Sequence, residues 1–202
     1  SDFWGGLNSS SILEPVVRFY NITQDKKYLD FATHIVDCGG ARYGNIFELI
    51  HNEDVYPYQL PVIKAYEMIS CFEGLIEFYK ITGVERYKIA ILNFADRILE
   101  SDFTVIGSCG CTHELFDHSA VRQANTTNGE IMQETCVTVT WIRIMARMYL
   151  LTGDAKYYDR IEQAGYNALY GSLNTEQCLL KELISGEYLP AKTFDSYSPL
   201  YM

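Results

Sequence analysis

Apolar residues recur every three or four positions in six stretches of this chain, and the polar breaks between them sort the stretches into three pairs. The first pair is predicted as a helix from Ser11 to about Ile22 and another from Lys26 to Cys38. The second runs from Val62 to Ile81 and from Glu85 to Glu100, and the third from Cys136 to Leu151 and from Ala155 to Tyr170. Within each pair the break is short and carries stop and start signals. Gly83 and Gly153 suit a left-handed C-terminal cap, and Asp25 and Asp154 can cap the helix that follows. Ser11-Ile12-Leu13-Glu14 fits a capping box for the first helix, with Pro15 still in its first turn.

The pairing is also a repeat. FYNITQDKKYLDFA (19–32), FYKITGVERYKIAI (78–91) and MYLLTGDAKYYDRI (148–161) are versions of one phrase, and Thr23, Thr82 and Thr152 are 59 and 70 residues apart, as are Tyr28, Tyr87 and Tyr157. A period this long holds two helices per unit. The three hairpins, 10–38, 62–100 and 136–171, are followed by an irregular C-terminal segment. Links between hairpins are about twenty and about thirty residues, far above the usual few. Every long link enters the first helix of a pair, so the links gather on one face, at the N-termini of alternate helices. Long ordered loops tend to carry function. The predicted fold is all-α: consecutive helix hairpins forming part of an (α/α)6 toroid, first helices inside and second helices outside. Three hairpins make an arc, so further hairpins are expected outside these 202 residues.

Composition narrows the partners. A hydrophobic share of 48% suffices for a buried core, and a net charge of -10 argues against nucleic acid, whose phosphates need clustered Lys and Arg. Sixteen Tyr among 14% aromatics suit a carbohydrate, and equally suit the packing of large helices. Six spread cysteines favour a reducing, cytoplasmic setting over a disulfide scaffold. No apolar run approaches a membrane span. A homodimer is compatible with all of this.

Candidate chemistry collects before the fifth helix. Gly107-Ser108-Cys109-Gly110-Cys111-Thr112-His113-Glu114-Leu115-Phe116 and Glu134-Thr135-Cys136 bring carboxylates and thiols toward one helix N-terminus. Residues two apart on a helix do not face each other, so Glu134 and Cys136 can share a metal only if Glu134 lies outside the helix. There the dipole and a bound Zn2+ would both favour the thiolate. The plainer alternative, favoured by spacing alone, makes Glu134 a dipole-complementing acid and Cys136 a buried small residue. Cys109, Cys111 and His113 lack the second half of a ligand set and read as a turn of small residues. Glu114 is either a general acid or a loop carboxylate. Cys38 and Cys71 read as buried hydrophobes and His34 as structural. His51 and His118 read as solvated or core histidines that could still touch a substrate. Tyr66, Glu67 and Glu73 share the third helix, with Glu67 nearer the functional face; Trp4 and residues 8–11 lie on that face too.

Taken together, SSSILEPVVRFYNIT, KAYEMISCFEGLIEFYKITG, GSCGCTHELF, ETCVTVTW and LLTGDAKYYDRIEQAGYNALYGSLN resemble the six-hairpin glycosidases of the β-L-arabinofuranosidase type, glycoside hydrolase family 127 and its relatives. The resemblance implies an (α/α)6 catalytic domain with zinc held by Glu134, Cys136 and two adjacent downstream cysteines, one of them the nucleophile. It implies Glu114 as acid/base, and retention through a glycosyl thioether. Tyr66, Glu67, His51 and His113 become candidate substrate contacts. Three departures stand out. The paired cysteines are absent from these residues, which alone should therefore be inactive. The insert RQANTTNG lengthens the step from Glu114 to Glu134 and leaves Glu130 as a distant second acid/base candidate. Ala65-Tyr66-Glu67 replaces the family's Gly-His pair, which bears on the choice of sugar. Two other readings keep the same arc: a metal-free sugar epimerase or lyase using His with Glu or Tyr, and a non-catalytic glycan-binding module.

Overall fold

Each repeated phrase folds as a helix end, one left-handed residue and a new helix. The computed structural model describes residues 3–52, 54–112, 114–123, 132–173, 178–179, 188–189 and 197–199. After a short helix α1 (Leu7–Ser10) come α2 (Leu13–Thr23) and α3 (Lys26–Asp37), a two-residue ribbon of β1 (Gly40–Ala41) and β2 (Gly44–Asn45), and α4 (Ile46–His51). The second hairpin is α5 (Ala65–Thr82) with α6 (Glu85–Ser101). A short α7 (Ser119–Arg122) and strand β3 (Met132–Glu134) lead to the third, α8 (Thr135–Thr152) with α9 (Ala155–Gln163). Asp25 accepts from Lys27 N–H at 3.1 Å and Asp154 from Lys156 N–H at 2.9 Å, as expected of caps. Gly83 and Gly153 take φ of 66° and 72°; in the first hairpin Gln24 fills this role at 56°.

The helices form two layers. α2 packs on α5 and α5 on α8, while α3, α6 and α9 pack behind their hairpin partners. α6 buries Tyr87, Ala90, Ile91, Phe94, Ala95 and Ile98, the helical spacing of a one-sided element. α5 is buried along more of its girth, as an inner helix flanked on both sides must be. The core lies between the layers, where Phe72 and Phe94 stack with ring centres 3.8 Å apart and Phe116 meets Phe94 edge-on. Among the described residues no helix is long and apolar enough to cross a membrane.

Four expectations change. The Ser11–Glu14 capping box does not form: α1 runs straight into a turn, and Ser11 Oγ donates to the Asn8 carbonyl at 2.8 Å instead of capping α2. The third predicted helix begins at Ala65 rather than Val62, because Ile63 and Lys64 stay extended and bond the loop at 114–116. The first of the long links contains α4, with Asn45 accepting from Phe47 and Glu48 N–H at 3.0 and 3.1 Å. The sixth helix ends in a π-helical turn, Ala164–Leu169, and a 3-10 turn, Tyr170–Ser172.

Candidate active site at the N-terminal face of the inner helices

Glu134 stands just outside α8, as metal sharing requires. Its backbone is extended (φ -92°, ψ 123°) and its carboxylate Oε2 accepts from Val137 N–H at 2.8 Å, so it is the N-cap. Cys136, one residue inside the helix, is exposed, correcting its reading as a buried residue. Its thiol is held well above the ordinary range, at about 11, first by its hydrogen bond to Glu134 and then by burial, while the Lys64 cation opposes both. The helix terminus alone therefore does not make Cys136 a thiolate; the neighbouring carboxylate outweighs it. β3 pairs antiparallel with β4 (Tyr197–Pro199), with Tyr197 opposite Glu134, which brings the chain at 197–199 alongside this cap.

The loop before β3 is built around a buried carboxylate. Asp102, fully buried, accepts from Asp117 N–H (3.0 Å), Ser119 N–H (3.1 Å) and Ser101 Oγ (2.9 Å). Ser108 Oγ and Thr138 Oγ1 lie 2.8 Å apart, fastening the loop to the first turn of α8. Cys109 and Cys111 are fully buried and burial pushes both thiols up, Cys111 to about 12, so they are packing residues, as the turn reading expects.

Glu114 emerges from this loop in the left-handed region, φ +64°, a conformation uncommon for a non-glycine residue. Its carbonyl accepts from Ala65 N–H at 2.8 Å, at the start of α5. Its carboxylate forms an ion pair with Lys64. Lys64 is 9% exposed, with its ammonium 5.3 Å from the centre of the Trp4 ring. Sequence reasoning passed over Lys64; the available signal was a lone lysine between the apolar run Leu60-Pro61-Val62-Ile63 and Ala65. It is bound to Glu114, and its charge pulls weakly downward on the Cys136 thiol.

The remaining candidates divide. Tyr66 is exposed in the first turn of α5. Glu67 is 8% exposed and its Oε1 accepts from Asn8 Nδ2 at 2.7 Å, which joins α1 to α5. His51 is not with this group: it ends α4, its carbonyl accepts from Asn93 on α6, and it lines an outer groove of about 320 Å³ with Asp37, Glu48 and Arg86. α4 turns the link outward onto α6, which a sequence without a visible short helix does not reveal. His113 and Glu130 lie outside the described residues. His118 stacks on Tyr58 with centroids 4.7 Å apart. Cys38 is exposed rather than buried, its sulfur 3.7 Å from the His34 ring. Cys71 is buried, as expected.

As metal donors, Glu134 and Cys136 supply one oxygen and one sulfur, both acceptable to zinc, and the Val137 N–H bond orients the carboxylate as an outer-shell contact would. Among the described residues no three His, Cys, Asp or Glu side chains are grouped to hold a metal. The fit is to half of a four-ligand site.

Helix hairpins in two layers, with the long links, carboxylates and a thiol at the inner N-termini, form an arc of the kind that builds α/α-toroid domains. The profile of the β-L-arabinofuranosidase, GH127 catalytic domain matches residues 6–180, and the chain belongs to that family. Among solved structures, the GH127 β-arabinofuranosidase BT3674 is similar over 79% of this chain and 25% of its own, at 28% identity and a TM-score of 0.59. A glycoside hydrolase (20% identity, TM-score 0.61, 82% of this chain and 30% of its own) shares the fold. So does the β-L-arabinofuranosidase Ara127N of Geobacillus stearothermophilus T6 (16%, 0.59, 81% and 28%). The chain thus spans 25–30% of the length of these structures. No curated protein matches it.

Proposed function

We propose that these residues form part of a retaining glycoside hydrolase acting on a β-L-arabinofuranoside or a related sugar, with Glu114 as general acid/base and Glu134 and Cys136 as two ligands of a zinc ion. The observation that carries this is the fastening of the Glu114 loop to both inner helices, by the Lys64–Glu114 ion pair at the start of α5 and by the 2.8 Å contact of the Ser108 and Thr138 hydroxyls in the first turn of α8, so that acid and thiol border one space. Glu114 donates a proton to the leaving glycosidic oxygen and then takes one from the incoming water. In this reading the nucleophile is a cysteine outside these residues. Zinc, when bound, supplies positive charge that keeps sulfur ionised at neutral pH. Glu134 meanwhile is oriented by Val137 N–H, and Tyr66 and Glu67 flank the sugar.

The test is hydrolysis of an aryl β-L-arabinofuranoside by the whole protein. Glu114→Gln should lower kcat by about 10²–10⁴-fold, the usual worth of a positioned acid/base. Glu134→Ala and Cys136→Ser should each reduce bound zinc measured by mass spectrometry. Undiminished hydrolysis in Glu114→Gln refutes the acid/base role, and zinc retained in both ligand variants refutes the metal site.

A further inference from the structure

Lys64 is a nearly buried cation that the proposed reaction leaves without a task. A buried ammonium is costly unless paired, and its partner is the Glu114 carboxylate, whose side chain is itself 16% exposed. The next residue holds the other part of Glu114, through Ala65 N–H and the Glu114 carbonyl at 2.8 Å. Residues 64 and 65 therefore grip one loop residue by side chain and main chain together, and the extended segment before α5 bridges the loop again from Lys64 to Leu115. The gripped residue is one that needs holding, because a glutamate at φ +64° stays there only when its surroundings impose it. The Trp4 ring, 5.3 Å from the ammonium, closes the far side and limits where Lys64 can point.

We propose that Lys64 is a positioning residue for Glu114: its ammonium holds the side chain and the Ala65 N–H the main-chain carbonyl, which sets the carboxyl group at the mouth of α5, where, once protonated, it meets the glycosidic oxygen. The role rests on the reading of Glu114 as acid/base. Lys64→Met keeps most of the stem's packing and removes the charge, whereas Lys64→Arg keeps a partner for the carboxylate. In the whole protein, Lys64→Met should lower kcat by about tenfold or more, with KM within about threefold, since small misplacements of a reacting group are this costly. The loss should be larger for an alkyl than for a nitrophenyl arabinofuranoside, because a poor leaving group depends more on the acid. Lys64→Arg should recover most of it. A raised KM with unchanged kcat would mean that Lys64 binds the sugar, and equal losses in both variants would mean that the charge is irrelevant; either overturns the proposal.

A second measurement does not depend on activity. Hydrogen exchange across residues 108–118 should speed up in Lys64→Met, not in Lys64→Arg, and leave α8 and α9 unchanged. Unchanged exchange in Lys64→Met overturns the grip. If the native protein hydrolyses no arabinofuranoside, the proposed function fails, while exchange still decides whether Lys64 holds the loop.

Discussion

Replacing Arg147 with methionine should show that charge ties the three inner helices together, and that the tie depends on pH. Arg147 projects from α8 to Glu14 on α2 (2.7 Å) and to Glu73 (3.1 Å) and Glu77 (2.7 Å) on α5, with its side chain 12% exposed. In Arg147→Met, Glu14 keeps Arg18 and Glu77 keeps Lys80. Glu73, 1% exposed, keeps Arg143 at 3.1 Å, but that side chain is 47% exposed and its pairing is weak. Burial already pushes the Glu73 carboxyl up to about 7 against the pull of Arg143 and Arg147. A carboxyl raised above its unfolded value of 4.5 stabilises the fold at low pH and loses that contribution as pH rises through about 7. The gap corresponds to roughly 3 kcal/mol between pH 4 and pH 8 in the native protein. Without Arg147 the value climbs further, so the added cost falls above neutrality. A buried charge that cannot be neutralised would cost about 3–5 kcal/mol, but Glu73 can take up a proton, which at one pH unit above 7 costs about 1 kcal/mol, so with the lost Glu14 and Glu77 contacts a loss of about 2 kcal/mol is expected at pH 8. At pH 5.5, where Glu73 is already protonated, the loss should be about 1 kcal/mol, from the weaker Glu14 and Glu77 contacts. Urea unfolding followed by circular dichroism at both pH values measures this. Adding Glu73→Gln should restore about 1 kcal/mol at pH 8. Equal losses at the two pH values, or no restoration, would refute the reasoning.

Two further outcomes follow from packing. Asp102→Ala strands the N–H groups of Asp117 and Ser119 and the Ser101 hydroxyl, and should cost about 3 kcal/mol with faster proteolysis within residues 103–119; a melting point within a degree of native would refute it. Gly74→Ala would place a methyl 2.6 Å from Leu13 Cβ and 2.7 Å from the Glu14 backbone nitrogen, prying α2 from α5 at a cost of about 2 kcal/mol. Gly165→Ala, with nothing within 4 Å, is the control and should be neutral in the same thermal scan.

The hairpins were legible because their signals are local. Asp25, Asp154, Gly83 and Gly153 act on their own or neighbouring residues, so the Thr-Gly-Asp phrase can be read without any partner. The same locality explains the misreadings. Ser11 had a suitable capping sequence but spent its hydroxyl on Asn8, and Cys38 had a helical apolar setting but sits on the free side of α3. His51 was placed by loop position, and a six-residue helix redirected it onto α6.

By itself the sequence determined the order and pairing of helices, the face on which the long links gather, and the Glu134–Cys136 pair, through short-range capping, periodicity and spacing. Only the tertiary structure decided what surrounds that pair. The ion pair of Lys64 with Glu114 joins residues fifty positions apart, the Arg147 contacts span three helices, and the Cys136 thiol is set by a carboxylate just outside its helix. Burial and charge act through space, and the chain's linear order carries no record of which polar groups folding brings within a few ångströms of one another.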